Sequence, residues 1–152
     1  MLRFPYVQLT LRRPVPTLAG MIRHVPVLIV GVAGPSGLTA TRFRIDSGAD
    51  DTILPSSVAA QLGVDLSAAP TAEAESANGA IVRYRCARVT LRISDGIEYC
   101  QWDAVVGFVP ISRQSGLAGH AGFLNYFDVE LLGGLEFTLK PTSQFPGLYG
   151  RH

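Results

Sequence analysis

The stretch FRIDSGADDTILP at residues 43–55 decides how the whole sequence is interpreted. Its first residues alternate, with Arg44 between Phe43 and Ile45, as in a strand that has one buried and one exposed face. Three aspartates then fall within six positions. Carboxylates this close together repel one another, and a simple turn needs only one Asp and one Gly. The segment therefore carries an electrostatic cost that a turn alone does not explain.

The residues by themselves also allow two simpler interpretations of this acidic segment. One is an Asx turn whose carboxylates are solvated, which is a common arrangement. The other is a calcium loop, but Gly48 and Ala49 interrupt the Asp-x-Asp-x-Asp-Gly spacing that oxygen ligands require. The acidic turn thus stays open as an alternative, and no metal site is predicted.

Residues 46–52, Asp-Ser-Gly-Ala-Asp-Asp-Thr, follow a predicted strand and precede two apolar residues. In this order and context they resemble the Asp-Thr/Ser-Gly-Ala-Asp-Asp-Thr active-site loop of the retropepsins, the aspartic proteases of retroviral type. The Asn78-Gly79 pair is the strongest short hairpin signal in the chain, and it predicts a projecting hairpin over residues 72–84. Such a hairpin lies where retropepsins carry the flap that closes over substrate.

The resemblance extends over about residues 25–141. Leu117-Ala118-Gly119 is similar to the second hydrophobic-hydrophobic-Gly element of the family, and residues 122–129 are similar to its C-terminal helix and following strand. Two positions depart from the family pattern. His120 stands where members often have an Arg that pairs with the acid at the position of Asp50, and Ala118 is smaller than the usual Ile, Leu or Val.

The resemblance implies an enzyme built from two copies of the chain. Aspartic protease chemistry needs two carboxylates that share a water, and the sequence contains one Asp-Ser-Gly. A two-fold homodimer brings Asp46 to its symmetry mate, and repulsion at that distance leaves one proton on the pair. Ser47 is expected to donate its hydroxyl across the interface, and Gly48 to let the backbone approach substrate.

The predicted site has two groups of residues, and it includes no cofactor and no metal ion. The catalytic group is Asp46, Ser47 and Gly48. By analogy with the family, the substrate-binding group consists of loop and flap residues, namely Ala49, Asp50, Asp51, Asn78, Gly79 and Ala80. The expected function is a homodimeric endopeptidase acting on peptides or proteins. The alternative is a catalytically inactive dimerisation or peptide-binding module of the same fold.

Composition predicts one mostly β domain over residues 1–152. The chain is 47% hydrophobic and only 16% charged, and its 16 Gly and 10 Pro favour turns between short strands. We predict a closed antiparallel β barrel-like acid-protease fold with one lobe per chain, and extensions outside about residues 25–141 that lie near the dimer interface. Short helices are predicted at residues 56–62 and 120–127. The apolar phase of the strand around Ala87 changes, which predicts either a bulge or a strand shared by two layers.

Charge, apolar runs and cysteines limit the partners and the compartment. A formal net charge of +1 provides no field for nucleic acid or anionic lipid. The apolar run at residues 25–33 is too short to span a membrane, so a cytoplasmic protein is expected. A turn at residues 94–97 would place Cys86 opposite Val105 and Cys100 opposite Leu91, so no disulfide is predicted.

Overall fold

A computed structural model describes residues 1–110 and 115–152, and most of these residues lie in strands. Within these described residues, the helical segments are the α-helix α1 (Ser56–Leu62) and two 3₁₀ turns at Pro16–Leu18 and Leu124–Tyr126. The strands, in chain order, are β1 (Leu2–Pro5), β2 (Val7–Val15), β3 (Gly20–Val25), β4 (Val27–Ala33), β5 (Leu38–Ile45), β6 (Ile53–Pro55), β7 (Thr71–Glu75), β8 (Ile81–Ser94), β9 (Glu98–Val109), β10 (Ser115–Ala118), β11 (Phe127–Leu132), β12 (Glu136–Pro141) and β13 (Leu148–Arg151). The mostly β class predicted from the sequence is confirmed.

The largest sheet has the strand order β13-β9-β6-β10-β5-β4-β8-β7, and β9 also pairs with β8. The strands curve into a partial ring and not into the closed antiparallel barrel that was predicted. Two of the pairings are parallel, those of β10 with β5 and of β6 with β9. The first arises because β10 lies between β5 and β6, the two strands that flank the acidic loop and run in opposite directions. A strand inserted there must be parallel to one of them and antiparallel to the other.

Two smaller sheets lie beside the ring. β12 pairs with β1 and β11 to form a three-stranded sheet. β2 and β3 form a two-stranded hairpin that pairs with no other strand of the described residues. Val7 lies opposite Val25 at its base, and the register shifts between Thr10 and Val15. The apolar residues of the segment 7–11 thus belong to this longer hairpin.

The core below the acidic loop is aromatic. Trp102 is 2% exposed and packs edge-on against Phe123, Phe127 and Phe145, with ring centroids 5.2 to 5.6 Å apart. Its indole N–H donates to the carbonyl of Gly122 at 2.9 Å, so no polar atom of the ring is left unpaired. Burial of each such ring stabilises the fold by roughly 1.5–3 kcal/mol. The cluster anchors Gly122 and Phe123, which directly follow the two residues that hydrogen-bond the acidic loop.

The first predicted helix is confirmed, but the second is wrong in type. α1 buries Val58, Ala59 and Leu62, and Gly63 ends it at a φ of 68°. The segment 120–127 contains only the 3₁₀ turn at Leu124–Tyr126. Gly122 has a φ of 85° and Phe123 lies outside the helical region because its ring is drawn into the core. An α-helix cannot pass through these two backbone conformations.

The predicted hairpin around Asn78-Gly79 is confirmed, with β7 and β8 as its arms. We refer to residues 71–85 as the flap. β8 then continues into the ring, where its residues 85–94 pair with β9 in an unbroken register. The change of apolar phase near Ala87 therefore reflects a strand shared by two layers and not a bulge.

The predicted register of the β8–β9 hairpin is wrong by two residues. Cys86 lies opposite Gly107, and Cys100 lies opposite Ile93. The Asp95 carboxylate accepts the backbone N–H groups of Ile97 and Glu98, so the turn is centred one residue later than its sequence suggests. Both cysteines are unpaired, as predicted. No helix within residues 1–110 and 115–152 has the length and apolar character needed to cross a bilayer.

Candidate active site

The acidic loop is a tight turn between β5 and β6. The carbonyl of Asp46 accepts the N–H of Ala49 at 3.2 Å, and Oδ1 of Asp46 accepts the N–H of Gly48 at 3.0 Å. The second bond holds the half-buried carboxylate in one orientation and leaves Oδ2 available. The N–H of Asp46 donates to the carbonyl of Ala118 at 3.1 Å, which ties the start of the loop to β10. The sequence therefore folds so that one carboxylate is presented on a rigid turn.

The segment after β10 braces the rest of the loop. The N–H of His120 donates to the carbonyl of Ala49 at 2.9 Å, and the N–H of Ala121 donates to that of Asp50 at 2.7 Å. The fully buried Thr52 donates its hydroxyl to the carbonyl of Ala121 at 2.8 Å. A Cβ on Gly119 would lie 2.2 Å from the carbonyl oxygen of Asp51, so this close approach requires glycine.

His120 contacts the backbone of the loop. Its Nε2 lies 2.9 Å from the carbonyl oxygen of Ser47. Because a carbonyl only accepts, Nε2 carries the proton in this contact. The residue that replaces the family's usual arginine thus binds the loop at Ser47, whereas the exposed side chain of Asp50 makes no hydrogen bond to the described residues.

The third aspartate of the loop is tied to the flap. The buried Tyr84, at the base of the flap, donates its hydroxyl hydrogen to Oδ2 of Asp51. Burial of the ring, reinforced by the hydrogen bond to Asp51, raises the pKa of Tyr84 far above its ordinary value. The ring lies directly over Gly107, where a Cβ would come within 2.4 Å of it. Tyr84 therefore stays protonated and acts as a fixed donor.

A cleft of about 480 Å³ opens beside Asp46 and Ser47. The β2–β3 hairpin forms one wall, and strands β4, β5 and β10 form the other. Its lining residues are Val7, Leu9, Val25, Val27, Arg42, Arg44, Ile45, Asp46, Ser47, Ser115 and Leu117. A carboxylate at the edge of a cleft that combines apolar walls with a few polar side chains is the arrangement expected of a site that binds a chain segment.

The flap tip is organised by its own side chains. Oδ1 of Asn78 accepts the hydroxyl of Ser76 at 2.6 Å and the N–H of Ala80 at 3.1 Å, while Gly79 takes a φ of 81°. These residues are exposed, and none of them lines the cleft beside Asp46.

The structure thus separates the predicted residues into two places. Asp46 and Ser47 line the cleft, and Gly48, Ala49, Asp50 and Asp51 continue the same loop, whereas Asn78, Gly79 and Ala80 lie at the flap tip. Among residues 1–110 and 115–152, no three His, Cys, Asp or Glu side chains converge as a metal site would require. The sequence analysis did not single out Tyr84 or Arg42, and it placed Arg44 on an exposed strand face. The alternation of the two arginines with buried residues was visible, but the hairpin that faces them was not.

Comparison with known families identifies the class. The model of a family described as aspartyl protease matches residues 25–109, which is more than half of the chain and includes the acidic loop and the flap. The chain therefore belongs to this retropepsin-like aspartyl protease family. No curated protein and no solved structure matches the chain.

Proposed function

We propose that the protein is a homodimeric aspartic endopeptidase that hydrolyses peptide bonds with a water shared by Asp46 and its symmetry mate. One observation carries the proposal. The carboxylate of Asp46 is half-buried on the edge of the cleft and oriented by the N–H of Gly48 within the only Asp-Ser-Gly of the sequence. One such carboxylate supplies half of the chemistry, so a second chain must supply the other half.

In this mechanism the two carboxylates hold one proton between them. The ionised one accepts a proton from the water as the oxygen attacks the peptide carbonyl carbon, and the protonated one donates to the carbonyl oxygen. The tetrahedral intermediate collapses when the carboxyl that took the water's proton gives it to the peptide nitrogen, the other carboxylate takes a proton from a hydroxyl of the intermediate, and the C–N bond breaks. Ser47 donates across the interface to hold the loops together, and Gly48 gives the substrate room.

The substrate would lie extended in the cleft with the flap above it. The flap tip closes over the peptide through Asn78, Gly79 and Ala80. The peptide backbone is bound by Ala49 and Asp50. Oδ2 of Asp51 is occupied by Tyr84, which leaves Oδ1 for the substrate. Residues 1–152 act in this proposal as a single domain, with the segments outside about 25–141 near the dimer interface.

Cleavage of an unbiased peptide library by the purified chain tests the proposal. We expect cleavage by the wild type and none by Asp46→Asn, because an amide of similar size cannot act as the base. Specific activity should fall on dilution, in step with the fraction of dimer measured by sedimentation. Full activity of the monomer, or cleavage by the folded Asn variant, would move the chemistry elsewhere.

The alternative function is a peptide-binding or dimerisation module without catalysis. The observation that favours it is that Asn78, Gly79 and Ala80 of the flap tip do not line the cleft beside Asp46. The same library separates the two functions, since the module would bind peptides and release them uncut.

A further inference from the structure

Two arginines line the cleft beside Asp46. Arg42 and Arg44 are two residues apart on β5, so they project from the same face of the sheet, and both line the cleft. Both side chains are exposed. Apart from Asp46, the other residues that line the cleft are uncharged.

No carboxylate within residues 1–110 and 115–152 forms an ion pair with Arg42 or Arg44. Arg42 lies between Ile29 of β4 and Ser115 of β10. Arg44 lies between Val27 and Leu117 on the same two strands. Cross-strand neighbours are the side chains that most often pair with a charged residue in a sheet, and here all of them are neutral.

The ion pairs of the described residues lie elsewhere. They join the N-terminus and Arg151 to Glu98, Arg3 to Glu136, and Arg83 to Glu73. The guanidinium groups of the cleft are therefore free, within residues 1–110 and 115–152, to bind an anionic group of a ligand.

We propose that this cleft selects peptides with an acidic side chain, whose carboxylate pairs with Arg42 and Arg44 while the neighbouring residues pack on the apolar walls. The proposal rests on the proposed function, which brings an extended peptide to Asp46. A guanidinium matches a carboxylate with two parallel hydrogen bonds, whereas a neutral amide forms weaker ones. The preferred substrate has one Asp or Glu near the scissile bond within an otherwise apolar segment.

A single acidic side chain fits the cleft better than a polyanion. The Asp46 carboxylate lies on the same cleft and repels a second anion placed against it. A peptide can set its one charge against the arginines and a neutral peptide bond against Asp46. A nucleic acid carries a charge at every unit and cannot avoid that carboxylate.

Binding to the Asp46→Asn protein tests the proposal without cleavage. The probes are two labelled octapeptide libraries with positions varied among Ala, Val, Leu, Ser and Thr, one with a single Glu and one with a single Gln at the same positions. We expect about tenfold tighter binding of the Glu library, measured by fluorescence anisotropy. Added salt should reduce the ratio, because the contact is between charges in an open cleft.

Arginine variants of the Asp46→Asn protein test whether Arg42 and Arg44 cause the preference for Glu over Gln peptides. Arg44→Gln and Arg42→Gln should each bring the Glu-to-Gln affinity ratio toward one, and Arg44→Lys should retain part of it. Lys140→Gln is the matched control, because it removes one exposed charge from β12 and should leave the ratio unchanged. Thermal unfolding checks that each variant is folded. Equal binding of the two libraries to the parent protein, or a ratio unaffected by either arginine, would overturn the proposal.

Cleavage by the wild type separates this inference from the proposed function. If Gln and Glu peptides are cut with equal kcat/KM, the proposed acidic preference is wrong and the proposed protease function is supported. If Glu peptides bind preferentially but remain uncut, the proposed protease function is wrong and the proposed acidic preference of the cleft is supported. Displacement of the Glu library by a single-stranded oligonucleotide at lower concentration than by unlabelled Glu peptide would also overturn the proposal.

Discussion

The hydroxyl of Tyr84 donates a hydrogen bond to Oδ2 of Asp51, and so joins the base of the flap to the acidic loop. We predict that Tyr84→Phe lowers the free energy of unfolding by about 1 kcal/mol, because a hydrogen bond to a carboxylate is lost and water replaces it only in part at this partly buried contact. Urea unfolding measures the change. Tyr126→Phe is the control, since its hydroxyl makes no hydrogen bond within residues 1–110 and 115–152. Equal losses in the two variants would contradict the assignment.

Gly119 allows the segment after β10 to lie against the loop. Gly119→Ala should destabilise the protein by about 3 kcal/mol, because a Cβ there meets the backbone of both Asp51 and Ala49 within 3 Å and neither can move freely. The matched control is Gly20→Ala, where the nearest atom would be 3.8 Å away. Thermal unfolding of the two variants should give a large and a small decrease in Tm. A similar decrease in Tm in both variants would show that the acidic loop shifts to accommodate the new Cβ.

Glu98 stabilises the folded protein at neutral pH, and this stabilisation is lost at acidic pH. This buried carboxylate accepts hydrogen bonds from the N-terminus, from Tyr149 Oη at 2.5 Å and from Arg151 Nε at 3.2 Å, and these contacts lower its pKa below the ordinary value of 4.5. The ionised form is therefore favoured in the folded state. The ionised Glu98 carboxylate contributes fully to the free energy of unfolding above pH 4.5, its ordinary pKa. This contribution is lost as pH falls below 4.5 and through the lower pKa that Glu98 has in the folded protein.

Glu98→Gln should accordingly be less stable than the wild type at pH 7, and the difference should shrink between pH 5 and pH 3. A series of Tm measurements across this range follows the change. Glu75→Gln, an exposed change in the flap, should leave the pH dependence as it is. An unchanged difference between the Glu98 variant and the wild type at pH 7 and pH 3 would argue against an ionised contribution.

Cys100 lowers the free energy of unfolding as pH rises in the alkaline range, whereas the effect of Glu98 appears as pH falls in the acidic range. Burial raises the pKa of its thiol from 9.0 to about 12. Between these values the unfolded chain has released a proton that the folded chain retains, so the free energy of unfolding falls as pH rises, by up to about 1.4 kcal/mol per pH unit. Cys100→Ala should make this decrease shallower, whatever its effect at pH 7. Identical slopes between pH 9 and pH 11 would refute the effect.

Local sequence signals account for the parts of the fold that were predicted correctly. Gly63 ended α1, Asn78-Gly79 turned the flap, and the alternation through Ile45 led into the acidic loop. Each of these depends on residues that are neighbours in the chain. The family resemblance pointed to Asp46 and Ser47, which line the cleft, and their catalytic role stays a prediction.

Long-range packing decided the features that sequence analysis missed. β10 becomes parallel to β5 only because it fills the gap between the arms of the acidic loop. Phe123 leaves helical geometry because Trp102 and Phe43 receive its ring. Tyr84 donates a hydrogen bond to Asp51, which lies 33 positions earlier in the sequence. No short-range pattern encodes such contacts, and the β2–β3 hairpin that walls the cleft gave no signal beyond its apolar residues.

The sharing of β8 between the flap and the ring has a mechanical consequence. Among the strands of the described residues, β9 pairs with residues 86–94 on the ring, whereas residues 81–85 pair with β7 and only Arg85 of these also pairs with β9, at Phe108. We therefore expect the flap to behave as a lever that bends about residues 84–86, with the Tyr84 hydroxyl as its pivot, and to lower onto a bound chain without breaking any pairing in the ring. Hydrogen exchange would reveal this stiffness gradient along one strand: amides of residues 81–83 should exchange fast and those of residues 89–93 slowly, and uniform protection along β8 would mean that the lever is rigid.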